Sequence, residues 1–260
     1  MKEILRLPLY AEEVIDEYNN LRLGGKKVVC PYYMNTVKER AGLRALIGKG
    51  DPGEIEKEVL VWAKLKDFDL KKSSPKKIRE FMIDRHIGVD CSGFVVHTVN
   101  FWLKNEGKKP LIHYLEFKNN SLLAKLRRFF RPVENISANT LTNELNCDKI
   151  DDLNQVRPGD FIRSKGKVKN SHHIMLISKV VKENGKVQEI EFTHASRTYD
   201  EHNGIRSEVI VVTKPKLSLS KQQWPSDPDG KHMLLDHFKV FEEDNGIRRL
   251  KKIELSFITN

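Results

Sequence analysis

Cysteine is scarce in this chain: Cys30, Cys91 and Cys147 lie far apart and form no CxxC pair. An odd number cannot all pair internally, so a disulfide scaffold is not expected and each cysteine needs its own explanation. Cys30 and Cys147 read as structural or incidental. Long apolar runs are missing as well, and nothing approaches the roughly 18 consecutive apolar residues of a membrane-spanning helix. The opening residues, through Leu7 and Pro8, lack the layout of a secretory signal. Arg6 and Pro8 break the short apolar stretch, and Glu12, Glu13 and Asp16 follow. A cytoplasmic location is therefore the default expectation. No internal repeat and no low-complexity tract is found.

What is present is charge. Of 260 residues, 32% are charged and 39% hydrophobic, with a formal net charge of +10, which fits a soluble globular protein. Basic clusters stand at Lys71-Lys72, Lys76-Lys77, residues 125–131 and residues 248–252. Such charge suits an anionic partner, but interleaved acids make a solvated surface the plainer reading, and nucleic acid is not expected. The segment 122–131, LLAKLRRFFR, is the exception. It reads either as a basic amphipathic helix that meets a membrane surface or acidic partner, or, as the expectation adopted here, as a short helix packed on its own domain.

Periodicity predicts helices over residues 10–20 and 54–70, and another opening at Pro75 behind Ser73 or Ser74 and stopped by Gly88. A further helix is expected from the cap Asp90 to about Lys104, burying Phe94, Val95, Thr98, Val99 and Trp102, with Gly107 as its stop. From Pro158 onward the pattern turns to strands at 159–163, 173–181, 187–194, 206–212, 238–241 and 247–257. Asn184-Gly185 forms a two-residue hairpin signal. Residues 213–230, with Pro215, Pro225 and Pro228, read as a long surface loop. Helices first and strands later imply an α+β fold.

The chemistry concentrates at Asp90-Cys91-Ser92-Gly93-Phe94. A cysteine in the first turn of a helix meets unpaired N–H groups and a dipole that favour the thiolate. Gly93 removes a side chain beside the sulfur, and N–H groups near Cys91 and Ser92 suit an oxyanion. The plainer reading is a small buried apolar residue.

A base is needed, and the hairpin narrows the choice among the histidines. Pairing Glu183 with Lys186 and counting outward sets His173 opposite Ser196 and Met175 opposite His194. His173 and His194 then share a face with Met175, Ile177, Val181, Ile190 and Phe192, a face expected to pack on the Cys91 helix. His172 points the other way, and a one-residue slip would exchange its role with that of His173. The rival readings are two core histidines, or zinc held by Cys91 and the pair; no closely spaced ligand pair supports a metal, and no cofactor is expected.

These residues resemble the NlpC-type family of papain-like cell-wall cysteine peptidases. The resemblance runs through Gly88-Val89-Asp90-Cys91-Ser92-Gly93-Phe94-Val95, Arg157-Pro158-Gly159-Asp160-Phe161, His173-Ile174-Met175-Leu176 and Thr193-His194-Ala195-Ser196, in the family's order. It implies Cys91 as nucleophile, His173 as base and His194 as its orienting partner. Pro31-Tyr32 is similar to the family's proline-tyrosine motif, which implies Tyr32 beside the nucleophile. The implied fold is one papain-like domain over residues 1–260, with helical insertions at about 36–85 and 104–156. The glycines that usually follow the Pro-Tyr motif are missing. The implied activity is hydrolysis of a peptide or amide bond, with peptidoglycan stem peptides as the first substrate class. Intracellular acyl transfer or deamidation, and an inactive binding module with a basic surface, are the alternatives.

Overall fold

The computed structural model describes residues 1–35, 43–166, 172–197, 203–225 and 232–260. Its N-terminal half is mainly helical, with α1 (Leu9–Asn19), α2 (Pro52–Leu65), α3 (Pro75–Asp84) and α4 (Cys91–Asn105). Local chemistry explains their starts. Asp51 and Glu54 form a reciprocal capping box on α2, with Pro52 in its first turn. Ser74 caps α3 by accepting from the N–H of Lys77. The third helix ends at Asp84, ahead of the expected Gly88, because His86 takes a left-handed φ of 59°.

Five short strands complete the picture around these helices: β1 (Lys2–Arg6), the pair β2 (Leu21–Leu23) and β3 (Lys26–Val28), and, after α5 (Leu122–Phe130) and α6 (Ala138–Thr142), β4 (Cys147–Ile150) and later β10 (Ile258–Thr259). The region 104–156 is thus not purely helical, since β4 joins the main sheet through β9 (Gly246–Leu250). Part of the expected 36–85 insertion, residues 36–42, lies outside the described residues.

The sheet is built on β5 (Phe161–Lys165), β6 (His172–Glu183), β7 (Lys186–Ser196) and β8 (Gly204–Val211), and every pairing in it is antiparallel. Its order is β10-β1-β6-β5-β9-β4, with β7 on the other edge of β6 and β8 beyond it. Asn184 and Gly185 both have positive φ, 50° and 77°, as a type I′ hairpin turn requires. The α+β class holds. The 238–241 strand is corrected to helix: Phe238 lies in α7 (Met233–Lys239), its ring buried against the sheet. The segment after residue 213 is also not wholly a surface loop, because Leu219 and Trp224 are buried there; residues 226–230 lie outside the described residues.

Apolar side chains cover both faces of the sheet. On one face Phe161, Ile174, Leu176, Ala195 and Leu250 pack with α4, which is buried on several sides and carries the fully buried Phe94, Val95, Val96, Val99, Trp102 and Leu103. On the other, Ile162, Met175, Ile177, Val180, Phe192 and Ile247 pack with Trp224 and Phe238.

Candidate active site

The site begins with the cap of α4. Asp90 accepts a 2.6 Å hydrogen bond from the N–H of Gly93, which anchors the turn that carries Cys91. Asp90 also accepts from Ser92 Oγ at 2.9 Å and forms a 3.0 Å ion pair with Lys49, whose ammonium further contacts Ser92 Oγ and the carbonyl of Ile136. Lys49, Asp90 and Ser92 are all buried. The Ser92 side chain is therefore held beneath the turn, leaving only its backbone N–H near the sulfur.

Gly93 serves packing rather than access. A Cβ there would meet the carbonyl oxygen of Gly48 at 2.5 Å, so the glycine lets α4 approach the Gly48-Lys49 backbone. Gly88 acts likewise, since a Cβ would meet the carbonyl of Pro31 at 2.4 Å. That approach lets Tyr32 bridge to Val89 in parallel, two residues before the nucleophile position. Burial pushes the Tyr32 hydroxyl up, and Cys91 and Asp90 nearby add to the shift.

The pairing of β6 with β7 starts at Leu176↔Thr193, while β5 covers the opposite edge of β6 from residue 172. The N–H and carbonyl of Ile177 bond toward β5, so by alternation those of His172 and Ile174 face the edge that β7 has left. The Cys91 sulfur fills this opening. It lies 3.9 Å from the carbonyl oxygen of His172 and takes a hydrogen bond from the N–H of Ile174. It thus touches the backbone on both sides of His173.

The His173 ring bonds to His194, Nε2 to Nδ1, at 2.7 Å with the rings near-perpendicular. His194 is fully buried, and its Nε2 stands 3.4 Å from Oε1 of Glu208, which is ion-paired to Arg206 at 2.8 Å. One tautomer set satisfies this chain. Glu208 accepts from His194 Nε2–H, His194 Nδ1 then accepts from His173 Nε2–H, and His173 Nδ1 keeps its lone pair. Glu208 comes into reach through the pairing of β7 with β8, in which Glu208 stands opposite Phe192 and Arg206 opposite His194.

Three expectations need correction. The two histidines share the face of Met175, Ile177 and Phe192, with the His194 ring 5.5 Å from that of Phe192, but α4 packs on the opposite face. His172 lies on the α4 side, with Arg163 and Lys165 close enough to depress its basicity after burial. Val181 also leaves the histidine face, because an extra residue at Ser178 shifts the phase and brings Val180 inward.

The third concerns the thiol. Burial, with Asp90 adding, pushes the Cys91 thiol up to about 12, and the N–H of Ile174, Lys49 and the N–H of Ser92 only partly oppose this. The dipole of α4 does not make a resting thiolate. Burial likewise holds both imidazoles below the ordinary range, His173 well below, so the resting site is uncharged at sulfur and rings.

Cys30 and Cys147 are free and buried, with Cys147 Sγ 3.0 Å from the carbonyl of Leu141. Among the described residues, no group of three or more His, Cys, Asp or Glu side chains is placed to hold a metal ion. A cavity of about 480 Å³ lined by Glu17, His97, Phe101 and Lys104 runs along another side of α4 and includes none of Cys91, His173 or His194. No protein-family model, curated protein or solved structure matches the chain.

Lys49 and Glu208 were not foreseen from sequence. Neither belongs to a short motif, and the connection between β7 and β8 is no tight turn from which a register could be counted.

Proposed function

We propose that this chain is a papain-like cysteine hydrolase of NlpC type that cleaves a peptide or amide bond through an acyl-enzyme on Cys91. The observation that carries the reading is the contact of the Cys91 sulfur with the backbone flanking His173, whose ring is bonded to His194. With thiol and imidazole both neutral at rest, proton transfer accompanies attack. In this reading the thiol proton passes around the open edge of β6 to His173 Nδ1, on the face away from α4, as sulfur bonds to the acyl carbon, and the carbonyl oxygen gains the charge beside N–H groups of the first turn of α4. His173 then gives the proton to the leaving amine. Water, deprotonated by the same nitrogen, cleaves the thioester and frees Cys91. His194 and Glu208 hold the tautomer that makes Nδ1 the base.

Peptidoglycan stem peptides are the first substrates to assay, on the strength of the resemblance alone. Cys91→Ala is expected to abolish turnover while leaving the far-UV spectrum and thermal midpoint close to wild type. Retained activity in that variant ends the proposal.

A second reading has its own support: a thiol raised to about 12 also suits an inactive binding module with a basic surface. A covalent acyl adduct on Cys91 favours the hydrolase. Salt-sensitive binding of an anionic partner with no adduct favours the module.

A further inference from the structure

The fifth helix is mounted inside out. Leu122, Leu123, Leu126, Phe129 and Phe130 recur at i, i+1, i+4, i+7 and i+8, an apolar arc of about 120°. A helix on the surface of a globular domain turns such an arc to the core, as its periodicity predicts here. Instead no residue of α5 is buried, and Leu123, Phe129 and Phe130 are 79%, 78% and 74% exposed. The side turned toward the protein is the polar one. Ala124 and Arg128 are its less exposed positions, and Arg128 bonds to Asn119 and Asn120 and lies 4.4 Å over the ring of Phe117. Asn135 ties the far end down through the carbonyls of Arg127 and Arg131. The helix is thus fastened by its polar back with its apolar face outward.

Charge selects the occupant. Residues 117–133 hold Lys118, Lys125, Arg127, Arg128 and Arg131 and no Asp or Glu. By helical phase Lys125 and Arg127 border the apolar arc on opposite sides, where long stems reach upward while the rings and leucines point down. That layout matches a helix lying in an anionic lipid interface better than one seated in an apolar protein groove, which has no use for cations on both borders. At nine residues α5 is too short to span a bilayer, which suits a helix lying in the interface.

We infer that α5 docks the protein on anionic membrane surfaces by inserting Leu122, Leu123, Leu126, Phe129 and Phe130 between headgroups. This does not depend on the chemistry of Cys91. The test is flotation of the full chain with phosphatidylcholine vesicles, with or without about a third phosphatidylserine. Wild type is expected to float with the anionic vesicles only, and less at high salt. Phe129→Ser/Phe130→Ser should weaken binding about tenfold or more, and Lys125→Glu/Arg127→Glu should remove the preference for phosphatidylserine. Failure to float with anionic vesicles overturns the inference, as does unchanged flotation of the Phe129→Ser/Phe130→Ser protein. A lipid-free dimer that this variant abolishes would overturn it too, assigning the face to self-association.

Discussion

Cys91, His173 and His194 each sit in surroundings that favour the uncharged form, and Glu208 is the charged group bonded to the far end of the His173–His194 pair. A carboxylate that accepts from His194 Nε2–H fixes which nitrogen of each ring carries a proton. Glu208→Gln retains the size but offers an amide that can also donate, so the tautomers are no longer dictated. We expect kcat to fall roughly ten- to a hundredfold with KM little changed. The acid limb of the pH–rate profile should also move to lower pH, because the carboxylate raises the basicity of His194. A structural role alone would lower stability and leave that limb in place. At this scale the sequence was legible where residues sit in compact motifs. Asp90 caps as expected and the two imidazoles meet as the hairpin count requires. The thiol's ionisation was not legible, because burial by residues distant in sequence outweighs the local helix dipole.

The hairpin shows how an element can be counted correctly for an incomplete reason. Counting from Glu183↔Lys186 reaches Leu176↔Thr193 in the observed register only because two irregularities cancel. One extra residue on β7, at Gln188, is offset by one on β6, at Ser178. Neither carries a glycine or proline signal. The layer assignment failed since both faces of β6 are apolar, and alternation cannot say which of two apolar faces meets a given helix. The helix α4 offers a sharper test. Asp90 is at once its cap and the partner of buried Lys49, so Asp90→Ala leaves an ammonium unpaired and an N–H without its acceptor. We expect a loss of about 3–5 kcal/mol in urea denaturation. Adding Lys49→Met should recover part of it, and a double variant no more stable than Asp90→Ala would contradict the pairing.

Across the whole molecule, the sheet carries one apolar layer on each face, and the candidate site lies where β6 and β7 part. Burial on this scale makes stability depend on pH in a predictable direction. His173 and His194 have depressed folded-state basicities, so below about 6.5 the unfolded chain takes up protons that the folded chain refuses. Their contribution is present above that value and lost as pH falls. The three thiols are raised by burial, so the unfolded chain alone ionises above about 8.5, and stability falls again as pH rises. Thermal midpoints should therefore peak between these limits, with Cys91→Ala flattening the alkaline decline. A midpoint that climbs steadily toward acid pH would contradict the buried neutral pair.

Whether His173 activates Cys91 is read from the alkylation rate of each cysteine at neutral pH, by peptide mass spectrometry in wild type and in His173→Ala. All three thiols are buried and raised, so only one with a base at hand should react quickly. Cys91 should outpace Cys30 and Cys147, and His173→Ala should remove the advantage. Equal rates at the three positions, or a Cys91 rate indifferent to His173, would contradict activation by His173.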